Sequence, residues 1–532
     1  MNDTKSPLRR FFSRQLTRRH GGLLVFFGVF LALSFLTRLV LLVKASSDVT
    51  WTLSLVASFA WGLLFDLGAA GWAALPLLLL LTFLPGGWFR HRWQQGLAHG
   101  VGFIVIYLLL FNTVAEWVFW DEFGVRFNFI AVDYLVYTTE VIGNIRESYN
   151  LPLIFGGLAI ASAVVYWLCW RTGYPRRWAE GAAHEPFKSR LAAGGAWLAG
   201  ILAVGLVLSE GQLPAFKNNF NRELAKDGLW SLFAAFMNNE LDYEQFYQTR
   251  TPVASFKALN EELIEDGSVL LRPSELDTLR YVKNDGPELR PNIIQITVES
   301  LSADFLGIFN RASNLTPNLT EIAAQSLVFD TFYATGTRTD RGMEALTLSM
   351  PPTPGRSIVK RPRNENLFTL GSVFRAKGYD TAFIYGGFGY FDNMNYFFGH
   401  NGYRVIDRTG VPKADITFAN VWGVCDEDLF RWTMREADAS AASGKPFHYF
   451  VMTTSNHRPY TFPEGRIDLP SKISGRAGAV KYTDFAIGQF LRDAATKPWF
   501  KNTVFVIVAD HCASSAGKTE LPVQNYHIPR II

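Results

Sequence analysis

Cysteine is scarce in this chain. There are three in 532 residues, Cys169, Cys425 and Cys512, far apart and outside any CxxC or Cys/His spacing. That excludes a disulfide framework and a thiolate metal site. Charge is thin as well: Asp, Glu, Lys and Arg make up 18% of the residues against 49% apolar ones, too apolar a balance for an ordinary soluble enzyme. Neither sign dominates. The net charge is +4, so nothing in the bulk charge points to nucleic acid as a partner.

What is present is unevenly spread. Apolar residues crowd into the first 210 positions as long runs. GGLLVFFGVFLALSFLTRLVLLV (21–43) is long enough to cross a bilayer as a helix. It is too long, and too poor in a small-residue cleavage site, for a signal peptide. Runs at 59–84, 99–120, 151–170 and 192–209 bring the expected spans to five. Basic residues gather before the first (Lys5, Arg9, Arg10, Arg14, Arg18, Arg19), after the second (Arg90, Arg92) and after the fourth (Arg171, Arg176, Arg177, Lys188, Arg190). No basic residue lies between Ser46 and Trp51, and acids prevail after the third span. This alternation places the N-terminus in the cytoplasm and everything after residue 210 outside. Asp66 lies inside an apolar run, a costly position. It reads either as a polar contact for a headgroup or neighbouring helix, or as a residue near a helix end. For Glu116 and Asp121, at the outer end of the third span, water is the simplest partner.

In the stretch 218–247, Leu229, Leu232, Phe233 and Phe236 share one helical face. That suits a helix at the membrane interface, or a linker helix packed on an outer domain. Residues 250–285 are polar and read as a tether. The expected organisation is therefore a membrane domain over 1–210, an interfacial helix and linker over 211–285, and an outer α/β domain over 286–532. In that last region NIIQITVES (292–300), DTAFIYGG (380–387), FHYFVMTTSNH (447–457) and NTVFVIVADH (502–511) read as strands with polar ends, separated by helical stretches. Such alternation implies a largely parallel sheet covered on both faces. Ligands of these sheets gather at the carboxyl ends of the strands, which places Glu299, His457, Asp510 and His511 along one edge.

Two carboxylates with a histidine at strand ends offer hard oxygen and imidazole donors, suited to Mn, Zn or Mg. Such a cation would lower the pKa of a coordinated hydroxyl and stabilise charge on a phosphoryl oxygen. The stretch YATGTRTDRGMEAL (333–346) holds three hydroxyls, Thr335, Thr337 and Thr339, beside two arginines and an aspartate. It reads as a solvated loop or as the carrier of a threonine nucleophile, which would need activation of this kind.

NIIQITVES, GTRTDRGMEAL, TTSNHRPY and VADH, together with the upstream EFGVRFNFIAVDYLVYT and the five spans, resemble the lipoteichoic acid synthase and phosphoglycerol transferase group within the alkaline phosphatase and sulfatase superfamily. The resemblance implies an α-helical transmembrane bundle followed by an extracytoplasmic, sulfatase-like α/β domain, in the bacterial inner (cytoplasmic) membrane. The group's Thr-x-x-Gly-x-x-Ala pattern falls on Thr339 to Ala345. This implies Thr339 as metal-bound nucleophile, with Thr337 as the next choice. By the same resemblance Glu299, Asp510 and His511 are the remaining metal ligands, and His457 binds the phosphoryl group or assists the leaving oxygen. Manganese is the implied metal, with magnesium or zinc as alternatives. Phosphatidylglycerol is the implied donor, and an envelope glycan or growing glycerolphosphate chain the acceptor.

The sequence departs from the group in two places. Lipoteichoic acid synthases carry a Trp and an Arg near the substrate phosphate, in the segment matching GFGYFDNMNYFF (387–398). Here that segment offers Asp392, Asn393 and Asn395. Asp392, Asn395 and Arg341 are therefore the expected substrate contacts, and an acceptor other than polyglycerolphosphate is favoured. The chain also stops at YHIPRII, where the group continues through more strands, so a shortened chain is expected; His527 is expected to be structural. Two related activities are the rivals. A sulfatase would need a C/S-x-P-x-R motif, absent from the Thr339 loop, and a lipid A phosphoethanolamine transferase usually carries several disulfides in its outer domain. A catalytically inactive envelope-glycan binder would not need intact Glu299, Thr339, Asp510 and His511.

Overall fold

The computed structural model describes residues 15–532 apart from 137, 238–248, 265–266, 273–275, 352, 354, 515 and 520. Lys5, Arg9, Arg10 and Arg14, and the end of the 218–247 stretch, lie outside the described residues. The chain divides into two compact units. One is Met1–Met237 with Ser514–Tyr526; the other is Asn238–Ala513 with His527–Ile532.

The first unit is helical. Among the described residues, four helices are long and apolar enough to cross a membrane: Gly21–Lys44, Leu53–Phe83, Arg92–Phe123 and Leu151–Arg171. The fifth expected span falls on the 19-residue helix Phe187–Gly205, whose first turn carries Lys188 and Arg190. Its Ile201 packs on Gly71 of the helix Leu53–Phe83. The basic residues at 19 and 190 have a specific task. Both Arg19 and Arg190 donate to the carbonyl of Leu84, and Arg19 also to that of Leu81. They satisfy the open carbonyls at the C-terminal end of that helix, where cations are favoured.

Asp66 lies well inside its helix and not at an end. It is buried and accepts both prongs of the Arg38 guanidinium from the neighbouring helix, at 2.8 Å each. Arg38 also donates to the carbonyls of Leu224 (2.8 Å) and Lys226 (3.1 Å). The neighbouring-helix reading of Asp66 is the one observed. Water is not the partner of Glu116: the residue is buried and paired with Arg126. Gly124, in the left-handed region at φ 67°, ends the helix and turns the chain back so that Arg126 reaches Glu116. Asp121, in contrast, is largely exposed and paired with Lys44.

The 218–247 stretch is two short helices in its described part, Asn219–Leu224 and Gly228–Met237. Trp230 packs edge-on against Phe65 at 5.6 Å and lies over Gly68, so the stretch is seated on the helix Leu53–Phe83. Phe233, Phe236 and Met237 remain exposed.

In the second unit the expected tether carries structure. Pro252–Leu263 is a helix, with Pro252 in its first turn and Thr251 as its cap. The strands β1 (Ser268–Leu270) and β2 (Arg280–Val282) form a small antiparallel hairpin. Polarity hid both elements, because neither needs a buried face of its own in the sequence pattern.

The main sheet has seven strands: β3 (Asn292–Val298), β4 (Val328–Phe329), β5 (Asp380–Tyr385), β6 (Arg404–Ile406), β7 (Phe447–Met452), β8 (Thr503–Ala509) and β9 (Arg530–Ile531). Their order is β4-β9-β8-β3-β7-β5-β6. All neighbours are parallel except β9, which runs antiparallel to β4 and β8. Alternate residues serve the two faces. Ala382, Ile384, Tyr449, Val451 and Ile507 join one core; Phe383, Tyr385, Phe450 and Met452 join another with Met343, Phe397 and Phe398. A sheet covered on both sides needs continuous apolar strands, which is why these runs lack a polar alternation.

Candidate active site

Register builds the site. β3 lies between β7 and β8, with Val298 paired to Ala509. Glu299 and Asp510 are the next residue on each strand, so their side chains emerge together at the carboxyl edge. The Glu299 N–H donates to Thr453 Oγ1 (3.0 Å), beyond the end of β7. Ser300 then turns the chain through φ 50°. Its N–H donates to Asp510 Oδ1 (2.9 Å) and its hydroxyl to Glu299 Oε1 (2.7 Å).

Glu299, Asp510 and His511 are all buried, and one donor atom from each lies within 4.8 Å of the others. His511 Nδ1 is 2.7 Å from the carbonyl of Cys512, which fixes Nδ1 as the protonated nitrogen and aims Nε2 at the carboxylates. Nε2 lies 3.5 Å from Glu299 Oε1 and 3.6 Å from Asp510 Oδ2. Asp510 Oδ2 is buried and has no hydrogen-bond partner among the described residues. An orphaned carboxylate oxygen is rare and costly, and here it faces an imidazole nitrogen. Two carboxylates, one imidazole and an unsatisfied oxygen fit a hard divalent cation such as Mn, Mg or Zn.

Electrostatics say the same of the metal-free cluster. Burial, then the neighbouring Glu299, pushes the Asp510 carboxyl up to about 7. Burial opposes charge on His511, but Asp510 and Glu299 outweigh it and hold the imidazolium up to about 9. Burial also disfavours charge on Glu299, yet the His511 hydrogen bond prevails and takes it down to about 2.

Thr339 is half-buried and begins the ten-residue helix Thr339–Leu348. Its hydroxyl donates to Glu299 Oε2 at 3.1 Å. Gly342 explains how the helix start comes so close. A β-carbon there would lie 2.6 Å from Asp510 Cβ and 2.7 Å from its Cα, so only glycine admits this approach. The structure therefore brings Thr339 onto the Glu299, Asp510 and His511 cluster. Thr337 is half-buried on the preceding loop, and Thr335 is exposed.

His457 follows β7 on the same edge. Its Nδ1 lies 3.1 Å from the Arg458 carbonyl, and the ring packs on Trp422 at 3.9 Å between centroids. The other expected substrate contacts sit differently. Arg341 is spent on the fold: it bonds Glu344 and the carbonyls of Thr353 (2.9 Å) and Gly355. Asp392 is buried, 3.3 Å from Lys360, which also lies 3.3 Å from Asp340. Asn395 is exposed, with its Oδ1 accepting from the N–H of Tyr396 (2.8 Å). His527 is 3.0 Å from the Asp330 carbonyl and packs against Phe309 and Tyr333, a structural setting as expected. Sequence reasoning missed Ser300, Lys360 and Trp422. Ser300 was within reach, since it completes the strand-end VES; nothing in the spacing pointed to the other two.

A sulfatase family model matches residues 291–532. Phosphoglycerol transferase I of Escherichia fergusonii is 29% identical over 246 residues, covering 43% of this chain and 32% of that protein. The chain thus spans about a third of the length of the curated relatives it matches. A solved alkaline phosphatase superfamily protein from Vibrio parahaemolyticus is 36% identical, with a TM-score of 0.49, covering 55% of this chain and 71% of that one. The integral-membrane lipooligosaccharide phosphoethanolamine transferase A of Neisseria meningitidis is 13% identical with a TM-score of 0.48, covering 95% of this chain and 88% of that one. Residues 291–532, which match the sulfatase model and build the strand-end cluster, are thus a sulfatase-like α/β domain.

Proposed function

We propose that this chain is a membrane-anchored, metal-dependent phosphoglycerol transferase. It would take a glycerophosphate group from phosphatidylglycerol through a threonine-linked intermediate to an envelope glycan or glycerolphosphate chain. The carrying observation is the Thr339 hydroxyl, 3.1 Å from Glu299 in the cluster with Asp510 and His511. The relatives named phosphoglycerol transferase I support the headgroup, and the four apolar helices support access to a lipid donor. Phosphatidylglycerol is also an activated donor that needs no ATP outside the membrane.

Glu299, Asp510, His511 and Thr339 would hold the cation. Such an ion, manganese by preference, lowers the pKa of a hydroxyl and offsets charge on phosphoryl oxygens. The chain's own groups do the rest. The Thr339 oxygen attacks phosphorus and gives up its proton to solvent. The bond from phosphorus to the diacylglycerol oxygen breaks, and His457 supplies that oxygen with a proton. An acceptor hydroxyl then attacks the phosphoglycerol–Thr339 ester and gives its proton to His457, and Thr339 regains one from solvent. Two displacements at phosphorus predict ping-pong kinetics.

The test uses the full chain with manganese and vesicles of headgroup-labelled phosphatidylglycerol or phosphatidylethanolamine. Diacylglycerol should appear from the first and not the second. Release from phosphatidylethanolamine alone would make the protein a phosphoethanolamine transferase, and release from neither would reject a lipid donor.

A further inference from the structure

Trp422 sits on a turn that its own Asn420 braces and that two contacts lock to the carboxyl edge of the sheet. Asn420 Oδ1 accepts from the N–H groups of Trp422 (2.9 Å) and Gly423 (3.2 Å). The Val424 N–H donates to the Gly386 carbonyl (2.9 Å) just beyond β5. A β-carbon at Gly423 would come within 2.8 Å of the Thr454 side chain beyond β7, so the turn is pressed onto both strand ends. The indole is therefore held, not adrift. One face packs on His457, at 3.9 Å between centroids and 35° between planes. Phe391, from the loop after β5, meets it edge-on at 5.1 Å and 86°.

The residue is 5% exposed, and its Nε1 is buried without a hydrogen-bond partner among the described residues. Buried tryptophans usually find an acceptor for this N–H, and leaving it bare costs as much as losing a hydrogen bond. Packing alone would be served by phenylalanine, as Phe391 shows beside it. An orphan donor on a rigid turn, one ring away from His457, is what a site looks like when its acceptor arrives with the ligand.

We propose that the Trp422 indole N–H is a substrate-binding donor, and that it takes an oxygen of the phosphorylated alcohol head group held against His457. This rests on the phosphoglycerol transferase reading above, and deepens it by naming a head-group contact from outside the 387–398 segment. The acceptor oxygen is either a head-group hydroxyl or a phosphoryl oxygen, and two lipids tell them apart.

The full chain and W422F, which keeps a ring against His457 and loses the N–H, are assayed with manganese on vesicles. One set carries phosphatidylglycerol; the other carries phosphatidylpropanol, which has no head-group hydroxyl. W422F should lose about tenfold in kcat/KM on phosphatidylglycerol. A loss confined to that lipid assigns the N–H to a hydroxyl, and an equal loss on both assigns it to the phosphoryl group. Wild-type rates for W422F on both lipids would overturn the proposal. If the unaltered chain releases no diacylglycerol, the transferase reading fails on its own. The donor is then tested by binding sn-glycerol 1-phosphate: affinity about tenfold weaker in W422F supports it, and equal affinity overturns it. Should W422F fail to fold, judged by lost metal binding, benzothienylalanine at position 422 removes the N–H without changing shape and gives the same decision.

Discussion

Asp510 keeps Oδ1 occupied and Oδ2 bare. Oδ1 accepts from the N–H groups of Ser300 (2.9 Å) and His511 (2.8 Å), while Oδ2 has no hydrogen-bond partner among the described residues. The two oxygens therefore separate folding from metal binding. In D510N the amide oxygen can still accept both N–H groups, so the thermal midpoint of the metal-free protein should not fall. The second carboxylate charge is gone, and stoichiometric manganese binding should be lost in a calorimetric titration. Full binding by D510N would place the metal elsewhere. At this scale the sequence was most legible where chemistry sits on strand ends. Glu299, Asp510 and His511 each follow an apolar run, and sheet register needs no further information to juxtapose them. Arg341 and Asp392 show the limit. Their residue types suit a polar, phosphorylated substrate, Arg341 for the phosphate and Asp392 for a hydroxyl, but Arg341 is held by carbonyls at 353 and 355 and Asp392 by Lys360. Those partners come from a loop whose path no periodicity reveals.

Among the elements, the helix Thr339–Leu348 depends on one missing methyl group. In G342A the new β-carbon meets Asp510 at 2.6–2.7 Å, and neither its backbone nor its buried, hydrogen-bonded side chain yields cheaply. The expected cost is about 1–3 kcal/mol of stability, with Thr339 displaced from Glu299 and diacylglycerol release down by more than about tenfold. Activity like that of the unaltered chain would contradict this packing. On the far side of the sheet, Asp380 opens β5 and is bound by Arg404 (2.7 Å) and Ser440 (2.6 Å). Burial raises its pKa, but these hydrogen bonds outweigh it and hold the carboxyl below the usual aspartate value. A depressed pKa stabilises the fold above the unfolded value near 4, and that contribution disappears as pH falls through the folded value. D380N should therefore cost about 1 kcal/mol at pH 7, a figure kept small because the pair is partly exposed. Once the pH lies below that folded value the two proteins should melt alike; a pH-independent difference would mean that packing, not charge, was lost. Strands and their ends were readable because a sheet buried on both faces must be written in apolar runs. The helix Pro252–Leu263 and the β1–β2 hairpin were not, since polar elements carry no such mark.

At the scale of the whole molecule, hydropathy and loop charge made the helical unit legible but not its interior. Asp66 announced a partner without naming it. Arg38 is 28 residues away in sequence, and only the packing of two helices reveals the pair. The same holds for Glu116 and Arg126, where a glycine turn decides the matter. If the spans alternate as loop charge demands, reporters fused after residues 95 and 180 will read cytoplasmic, and those after 135 and 280 external. An external signal at 180 would break the five-span count. One covalent event, in the chain held in a bilayer, decides the proposed reaction. The direct measurement incubates that chain with headgroup-labelled phosphatidylglycerol and manganese, without acceptor, and maps the label by peptide sequencing. The account predicts label on the peptide spanning residues 333–346, located at Thr339, with one diacylglycerol released per labelled chain. Label on Thr337 would keep the mechanism and move the nucleophile. A metal-loaded protein that gives neither label nor diacylglycerol would contradict it.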